Sequence, residues 1–369
     1  MKNLSQQVGR LTIDLRAIKR NWQLLSDRSQ CCVAAVVKAN AYGLGVERVA
    51  PALYAQGCRD FYVATLAEGV QLRKILNGAA NIYLLAGIGE GDEVLCVVHQ
   101  LIPVLSSLES VICWAEFNAA RSSLSPSVIK FDSGMTRLGL IEGDLTQLLS
   151  QAELISHANP IIFMSHLACA DEAYHSFNKE QRRSFELAGK QFLAVDPQIR
   201  LSLANSSGIF LGENYLFDQV RPGAALYGIN PSPLVDNPMC SVVTLELPVL
   251  QVKAVMVDSS VGYGCDGHIV KGSVLAVVQG GYADGLNRMM GSKRFGCVAG
   301  VEVPIVGRIS MDSTVFNVTG IENIVRGDFI QVMGGLCPQY GFGGEDEALG
   351  YEVLTSLGDR YQRVYLDGE

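Results

Sequence analysis

The chain has 369 residues, 49% hydrophobic and 18% charged, enough for one or two sizeable cores and too apolar for a fibre, a linker or a disordered tract. Its 29 basic against 37 acidic residues give a net charge of -8, which excludes general attraction to nucleic-acid backbones and leaves room only for a local anion site. Ten cysteines without a CxxC pair and five histidines without HxH or HExxH spacing exclude a disulfide scaffold and give no metal site.

The leading stretch MKNLSQQVGRLTIDL has neither the apolar centre nor the cleavage site of a secretory signal. No run reaches the roughly 18 continuous apolar residues of a membrane span. The expected location is the cytoplasm, without membrane or nucleic-acid partners. Within that stretch LTIDL can leave the first layer of the fold and join another sheet, and Asp14 to Asp27 is amphipathic.

Short apolar runs then recur as CVAAVVK (32–38), FYVA (61–64), NIYLL (81–85), LIPVLS (101–106), SVIKFD (127–132), IIFMSHL (161–167), IRLSLAN (199–205) and AALYGI (224–229). Between them lie stretches of helical spacing, including Val46 to Gln56, Leu66 to Leu76, Glu109 to Arg121 and Tyr174 to Phe192. This alternation predicts a parallel sheet covered by helices. Eight units in about 230 residues suit a closed (β/α)8 barrel, with an open doubly wound sheet as the alternative. After PSPLVDNP (231–238) the texture changes to TLELPVLQVKAVMV, SVLAVV, VEVPIVG and DFIQVMG joined by glycine-rich turns, with one short helix at Ala348 to Leu357. We therefore expect an α/β barrel at 1–235 and a mostly β domain at 236–369.

In a barrel the residues just past the strand ends face the substrate. Here Lys38 and Tyr42 follow the first run, Lys130 and Asp132 end the fifth and lead to Arg137, Ser165 and His166 end the sixth, and Asn205 and Ser206 follow the seventh. Arg221, Pro222, Gly223 and Ala224 introduce the eighth. Lys38 follows almost wholly apolar residues, where desolvation favours the neutral, nucleophilic amine and a Schiff base with a carbonyl cofactor. The plain alternative is a strand-end lysine reaching out to water. Tyr42, the Asn205–Ser206 turn and the Gly223 and Ala224 amides can meet as an anion site, although each alone reads equally as a structural turn. His166 alone reads as a second-layer histidine, and Arg221 as a rim ion pair or a cofactor contact. In the second part, glycine-flanked turns present Tyr263 and Tyr282, and GRISMD (307–312) carries Met311. A phenol titrates near pH 10, so one acting as a base needs a positive neighbour.

The run Val37-Lys38-Ala39-Asn40-Ala41-Tyr42-Gly43-Leu44-Gly45 resembles the cofactor-lysine motif of the alanine racemase family. Lys130 to Gly139, His166, Asn205, Ser206, the Arg221-Pro222-Gly223 run, Tyr263, GYADG (281–285), GRISMD and Tyr351-Glu352-Val353 are similar to further family motifs in order. The resemblance implies pyridoxal 5'-phosphate held on Lys38 as an aldimine, and a homodimer with shared active sites. It implies that Lys38 and the partner subunit's Tyr263 are the two bases that interconvert L- and D-alanine, supplying D-alanine for peptidoglycan. It also implies that Arg137 and Met311 bind the substrate carboxylate and that Tyr42, Ser206, Gly223, Ala224 and Tyr351 hold the phosphate. Arg221 is implied to face the ring nitrogen with His166 linked behind it, Asn205 to belong to the cofactor network, Tyr282 to narrow the mouth with Tyr351, and Lys130 to be open to carbamylation.

Three positions depart from the family pattern: Leu44, Gly262 and Ser310 stand where many members have histidine, serine and cysteine. The Ser310 change leaves open a broader racemase acting on serine or lysine by the same mechanism.

Overall fold

The computed structural model describes residues 8–78, 80–286, 295–334 and 349–368. The chain divides into two units. One is built from Ile18–Leu226 and Asn230–Met239, the other from the described residues of Met1–Ala17, Tyr227–Ile229 and Cys240–Glu369.

The first strand, β1 (Arg10–Asp14), belongs to the second unit, and α1 (Leu15–Ser29) follows it. The strands of the first unit are β2 (Cys32–Val33), β3 (Ala35–Val36), β4 (Asp60–Val63), β5 (Asn81–Leu84), β6 (Leu101–Leu105), β7 (Ser127–Lys130), β8 (Pro160–Met164), β9 (Arg200–Ser202) and β10 (Gln219–Val220). From β3 to β9 each strand is paired in parallel with the next, and β10 pairs in parallel with β2. The Asp218 N–H donates to Leu201 O at 3.0 Å and the Arg221 N–H to Ala204 O at 2.9 Å. These bonds carry the sheet from β9 to β10 and close the ring, as a (β/α)8 barrel requires.

The barrel interior is filled by the inward-facing residues of successive strands, among them Val36, Tyr62, Val104, Val128, Ile162 and Met164. Burial of each such aliphatic side chain contributes roughly 1.5–3 kcal/mol. Tyr62 and Tyr83 stack with centroids 4.4 Å apart. Their buried hydroxyls donate to Gln219 Oε1 at 2.7 Å and Asp60 Oδ1 at 2.6 Å, so the two rings bring no unsatisfied polar atom inside.

The helical elements of this unit are α2 (Lys38–Tyr42), α3 (Val46–Gln56), α4 (Leu66–Leu76), α5 (Glu93–Val98), α6 (Leu108–Ala119), α7 (Glu142–Leu149), α8 (Ala152–Ala158) and α9 (Phe177–Val195). The spans of α3 and α4 are those the apolar spacing predicts. Reciprocal caps start α4 at Thr65 and Glu68 and start α6 at Ser107 and Ser110, satisfying amides that a helix start leaves open. Gly57, at φ +116°, ends α3.

The eighth barrel strand differs from the expectation. The run 224–229 is not a strand: Ala224–Tyr227 forms a 3-10 turn, and the strand is Gln219–Val220 just before it. Short apolar runs do not distinguish a buried strand from a buried turn, whereas Gln219 gave no apolar signal. Arg221 thus follows the eighth strand, as Lys38 follows the first.

The second unit holds β11 (Val243–Ala254), β12 (Ser259–Val261), β13 (Gly267–Ile269), β14 (Val274–Gln279), β15 (Phe295–Val298), β16 (Val301–Pro304), β17 (Ser313–Asn317), β18 (Phe329–Met333), α10 (Leu349–Ser356) and β19 (Gln362–Leu366). In its main sheet β1 lies between β11, antiparallel, and β19, parallel. Leu11 and Ile13 are fully buried there, following the period-two alternation of a half-buried strand. Among the described residues, no helix is long and apolar enough to cross a membrane.

Candidate active site

The carboxyl end of the barrel gathers ionisable side chains from four strand ends. Lys38 lies two residues past β3, Lys130 closes β7, His166 lies two residues past β8, and Arg221 directly follows β10. Arg137 lies on the exposed loop after β7.

The backbone after Lys38 is unusual. Ala39, Asn40, Ala41 and Tyr42 all have φ between +51° and +55°, a left-handed turn that costs L-residues roughly 1–2 kcal/mol each. Hydrogen bonds oppose that strain: Gly43 N–H donates to Ala39 O at 2.7 Å and Gly45 N–H to Asn40 O at 2.9 Å. The Asn40 Oδ1 accepts from Val46 N–H at 2.8 Å, tying the turn to the start of α3. Such strain persists where surrounding structure over-determines it, commonly at functional sites.

Burial first, and then the nearby Arg137 charge, lower the Lys38 amine's affinity for its proton, while Glu68 acts in the opposite sense. Lys130 is 6% exposed, and burial, with Arg221 and Arg137 behind it, pushes its pKa down to about 8. His166 is partly buried; burial and the Arg221, Lys130, Arg137 and Lys38 charges hold it well below the usual imidazole range. It is therefore a neutral ring at neutral pH. These couplings bring Lys38, Lys130, Arg137, His166 and Arg221 together at one end of the barrel.

Arg221 is buried, and burial lowers its pKa to about 10, so it stays charged at neutral pH. Its guanidinium donates to Ser202 Oγ, Ser165 O and Leu203 O. All three acceptors are uncharged. The Arg221 charge acts on His166 by disfavouring its protonated form, while the His166 carbonyl accepts from Gln181 Nε2 at 3.1 Å.

Tyr42, Ser206 and Gly223, three of the residues expected at an anion site, lie together. Ser206 Oγ accepts from Gly223 N–H at 3.0 Å and from Ala225 N–H at 3.2 Å, fixing the start of the 3-10 turn beside it. A Cβ at Gly223 would lie 2.4 Å from Tyr42 Oη, so the phenol occupies space that only glycine leaves. Asn205 works locally: its Oδ1 accepts from Gly208 N–H at 2.9 Å, shaping the turn that presents Ser206. A phenol, a hydroxyl and several cations fit a phosphate-bearing, anionic cofactor. Among the described residues, no group of three His, Cys, Asp or Glu side chains is placed to hold a metal ion.

In the second unit Tyr263 is 67% exposed on a turn flanked by Gly262 and Gly264, at φ +78° and +74°. GYADG and GRISMD pack together: Tyr282 N–H donates to Ser310 O at 3.0 Å and Ala283 N–H to Met311 O at 3.1 Å. A Cβ at Gly281 would lie 2.2 Å from Ser310 O, so the contact requires glycine. The paired turns leave Tyr282 and Met311 exposed. Tyr351 lies within α10, but its side chain falls outside the described residues. Of the departing positions, Leu44 is fully buried in the barrel unit and Ser310 takes part in the turn contact.

Sequence reasoning passed over Glu68, Ser202 and Gln181; Ser165 was named with His166 at the end of the sixth strand. Glu68 stands three residues after Thr65, the spacing of a capping box, and Ser202 is a buried polar residue between Leu201 and Leu203. Those signals were legible; their connection to Lys38 and Arg221 is a matter of tertiary structure.

Residues 13–231 match the family model described as alanine racemase, N-terminal domain, and residues 242–365 that of alanine racemase, C-terminal domain. The chain is 43% identical over 359 residues to an alanine racemase of Rhodospirillum rubrum, covering 96% of this chain and 95% of that one. It is 40% identical over 358 residues to one of Rickettsia canadensis, covering 96% and 98%. Its fold is similar to the crystal structure of alanine racemase from Bartonella henselae with covalently bound pyridoxal phosphate, at a TM-score of 0.90 and 36% identity over 97% of this chain and 99% of that one. A biosynthetic alanine racemase from Pseudomonas aeruginosa is similar at a TM-score of 0.85 and 29% identity, over 98% of this chain and 100% of that one. With both halves of the architecture matched over nearly its whole length, the chain belongs to the alanine racemase family.

Proposed function

We propose that the protein interconverts L- and D-alanine with pyridoxal phosphate carried on Lys38, and that it works as a homodimer in which the partner subunit's Tyr263 is the second base. The observation that carries this reading is the desolvated Lys38 amine, set beside Arg137 at the barrel's carboxyl end. When bound, the cofactor supplies an electron-accepting ring that acidifies the Cα hydrogen of an attached amino acid.

The residues divide the remaining work. Burial loosens the hold of the Lys38 amine on its proton, so this amine holds the cofactor and exchanges a proton with one face of Cα. Inversion needs a proton on the opposite face, because a single base returns the hydrogen to the side it came from. Tyr263 takes that face, Lys38 acting on D-alanine and Tyr263 on L-alanine. Arg137 binds the substrate carboxylate with the Met311 backbone amide. Tyr42, Ser206, Gly223, Ala224 and Tyr351 hold the phosphate, and Tyr282 with Tyr351 restricts the side chain to about the size of a methyl group.

Arg221 serves the ring nitrogen. It offers only hydrogens and stays charged, which limits how far that nitrogen is protonated and so discourages side reactions. Neutral His166 orients the groups around it. Lys130, with its pKa lowered to about 8, offers carbon dioxide a larger neutral fraction than an ordinary lysine does, and its carbamate gives Arg137 a negative partner. The product D-alanine supplies peptidoglycan synthesis in the cytoplasm.

The test is solvent deuterium uptake at Cα from each enantiomer. In Tyr263→Phe, racemisation falls by roughly 10²–10⁴-fold, the range for loss of a proton-transfer group, while D-alanine continues to exchange through Lys38. A variant that interconverts both enantiomers as fast as the parent refutes the two-base assignment. Rates across alanine, serine and lysine measure the substrate range that Ser310 puts in question.

A further inference from the structure

Glu68 lies outside every motif that pointed to the active site, yet its carboxylate bridges two strand-end loops. Its Oε1 accepts from Ala39 N–H at 2.8 Å, and its Oε2 accepts from Ala64 N–H at 2.7 Å. Ala39 is the residue after Lys38 and the first of the left-handed turn. Glu68 is also the third residue of α4, where it completes a capping box with Thr65, whose Oγ1 accepts from Glu68 N–H at 3.3 Å. A cap needs only one of its oxygens. The other is committed to the lysine's loop, 29 residues away in sequence.

We propose that Glu68 is a positioning residue for Lys38: its carboxylate clamps the strained turn through Ala39 and keeps a negative charge beside the amine. The inference rests on the reading of Lys38 as the cofactor lysine. Four consecutive residues at positive φ gain from an anchor at the first amide, since relaxation of that turn would re-aim Lys38 and Tyr42 together. The charge works in the same place. Glu68 raises the Lys38 pKa against burial and Arg137, so removing it leaves the amine more readily neutral but less well held.

The experiment follows recovery of visible Schiff-base absorbance when apo-protein is mixed with pyridoxal phosphate, as a function of pH, with Lys38→Ala as the blank. This rate tracks the neutral fraction of the amine and its aim rather than turnover. In Glu68→Gln the pH of half-maximal rate moves down, because the anion that favoured the ammonium is gone. In Glu68→Ala the plateau rate falls on the order of tenfold as the turn loosens. Thr65→Ala, which weakens the α4 cap and leaves the Ala39 bond, lowers the melting temperature and leaves both quantities at parental values. If Glu68→Gln and Glu68→Ala lower the melting temperature but overlay the parent in profile and plateau, Glu68 is a helix cap alone and the proposal is overturned. Should Glu68→Ala not fold, the shift in Glu68→Gln decides. A parent that forms no such band, with or without Lys38, sinks the cofactor reading itself and this proposal with it, an outcome distinct from unchanged variants of a parent that does.

Discussion

The Tyr42 phenol fills the place where a side chain at Gly223 would stand: a Cβ built there lies 2.4 Å from Tyr42 Oη, 3.0 Å from Tyr42 Cζ and 3.2 Å from Val36 Cβ. Val36 belongs to a barrel strand and has little freedom to give, whereas the phenol end of Tyr42 can swing away. Gly223→Ala should therefore fold and displace Tyr42. Overpacking of this kind costs about 1–3 kcal/mol, and 1.4 kcal/mol is tenfold in an equilibrium constant. The expected result is a melting temperature of the apo-protein lowered by the overpacking and pyridoxal phosphate binding weakened about tenfold by absorbance titration. Unaltered affinity would remove Tyr42 from the phosphate site.

Arg221 spreads its guanidinium over three acceptors from two barrel strands and their loops, Ser202 Oγ, Ser165 O and Leu203 O. A lysine ammonium keeps the charge but cannot reproduce the planar fork. Arg221→Lys leaves at least one buried carbonyl without a donor, at a cost of about 1–3 kcal/mol. Denaturant unfolding of the apo-protein should show that loss. A stability equal to the parent's would mean that these acceptors find other partners, and that Arg221 is held by charge alone.

Much of this architecture is legible before any coordinates, because strong periodicity marks elements whose packing agrees with it. Val46–Gln56 and Leu66–Leu76 carry their apolar stripes and caps in the local sequence. The closing strand does not: Gln219–Val220 is two residues long, and it is a strand because β2 and β9 lie on either side of it. The site divides in the same way. Lys38 after an apolar strand and Tyr263 between glycines are visible in composition and order. The left-handed turn, the Glu68 bond to Ala39 and the backbone acceptors of Arg221 depend on residues distant in sequence. Such contacts leave no local pattern to read.

Arg360 joins the two turns of the second unit. Its Nε lies 2.6 Å from Asp284 Oδ1 and its NH1 2.7 Å from Asp312 Oδ1, while Asp284 Oδ2 accepts from Gly281 N–H at 2.9 Å. Asp284 is nearly buried and Arg360 is half exposed, so the pair is worth less than a dry one, and solvent partly replaces the lost partner. Arg360→Ala is expected to lower stability and to loosen the contact that sets Tyr282 and Met311. On the proposed assignment, activity should fall more through KM than through kcat, since the proposed binding groups move and neither proposed base does. A change confined to kcat would contradict that assignment.

Lys130 makes a prediction about pH whose sign is fixed by burial. Its amine binds a proton less tightly when folded, at a pKa of about 8, than an ordinary lysine does at 10.5. Below pH 8 both the folded and unfolded chains carry the ammonium, and the folded chain bears the full penalty of burying it. At 1.36 kcal/mol per unit that penalty is at most about 3 kcal/mol. Between pH 8 and 10.5 the unfolded chain binds more protons than the folded one, so this group's contribution to stability rises with pH. Lys130→Met, similar in length and without charge, should be more stable than the parent at pH 7, and its advantage should shrink as pH climbs through that window. Urea unfolding of both apo-proteins at pH 7, 9 and 10.5, in carbonate-free buffer to keep the amine unmodified, measures the difference directly. A gap that is constant with pH would mean that Lys130 titrates alike in the folded and unfolded chains, and would remove the argument that its amine is neutral enough to take up carbon dioxide.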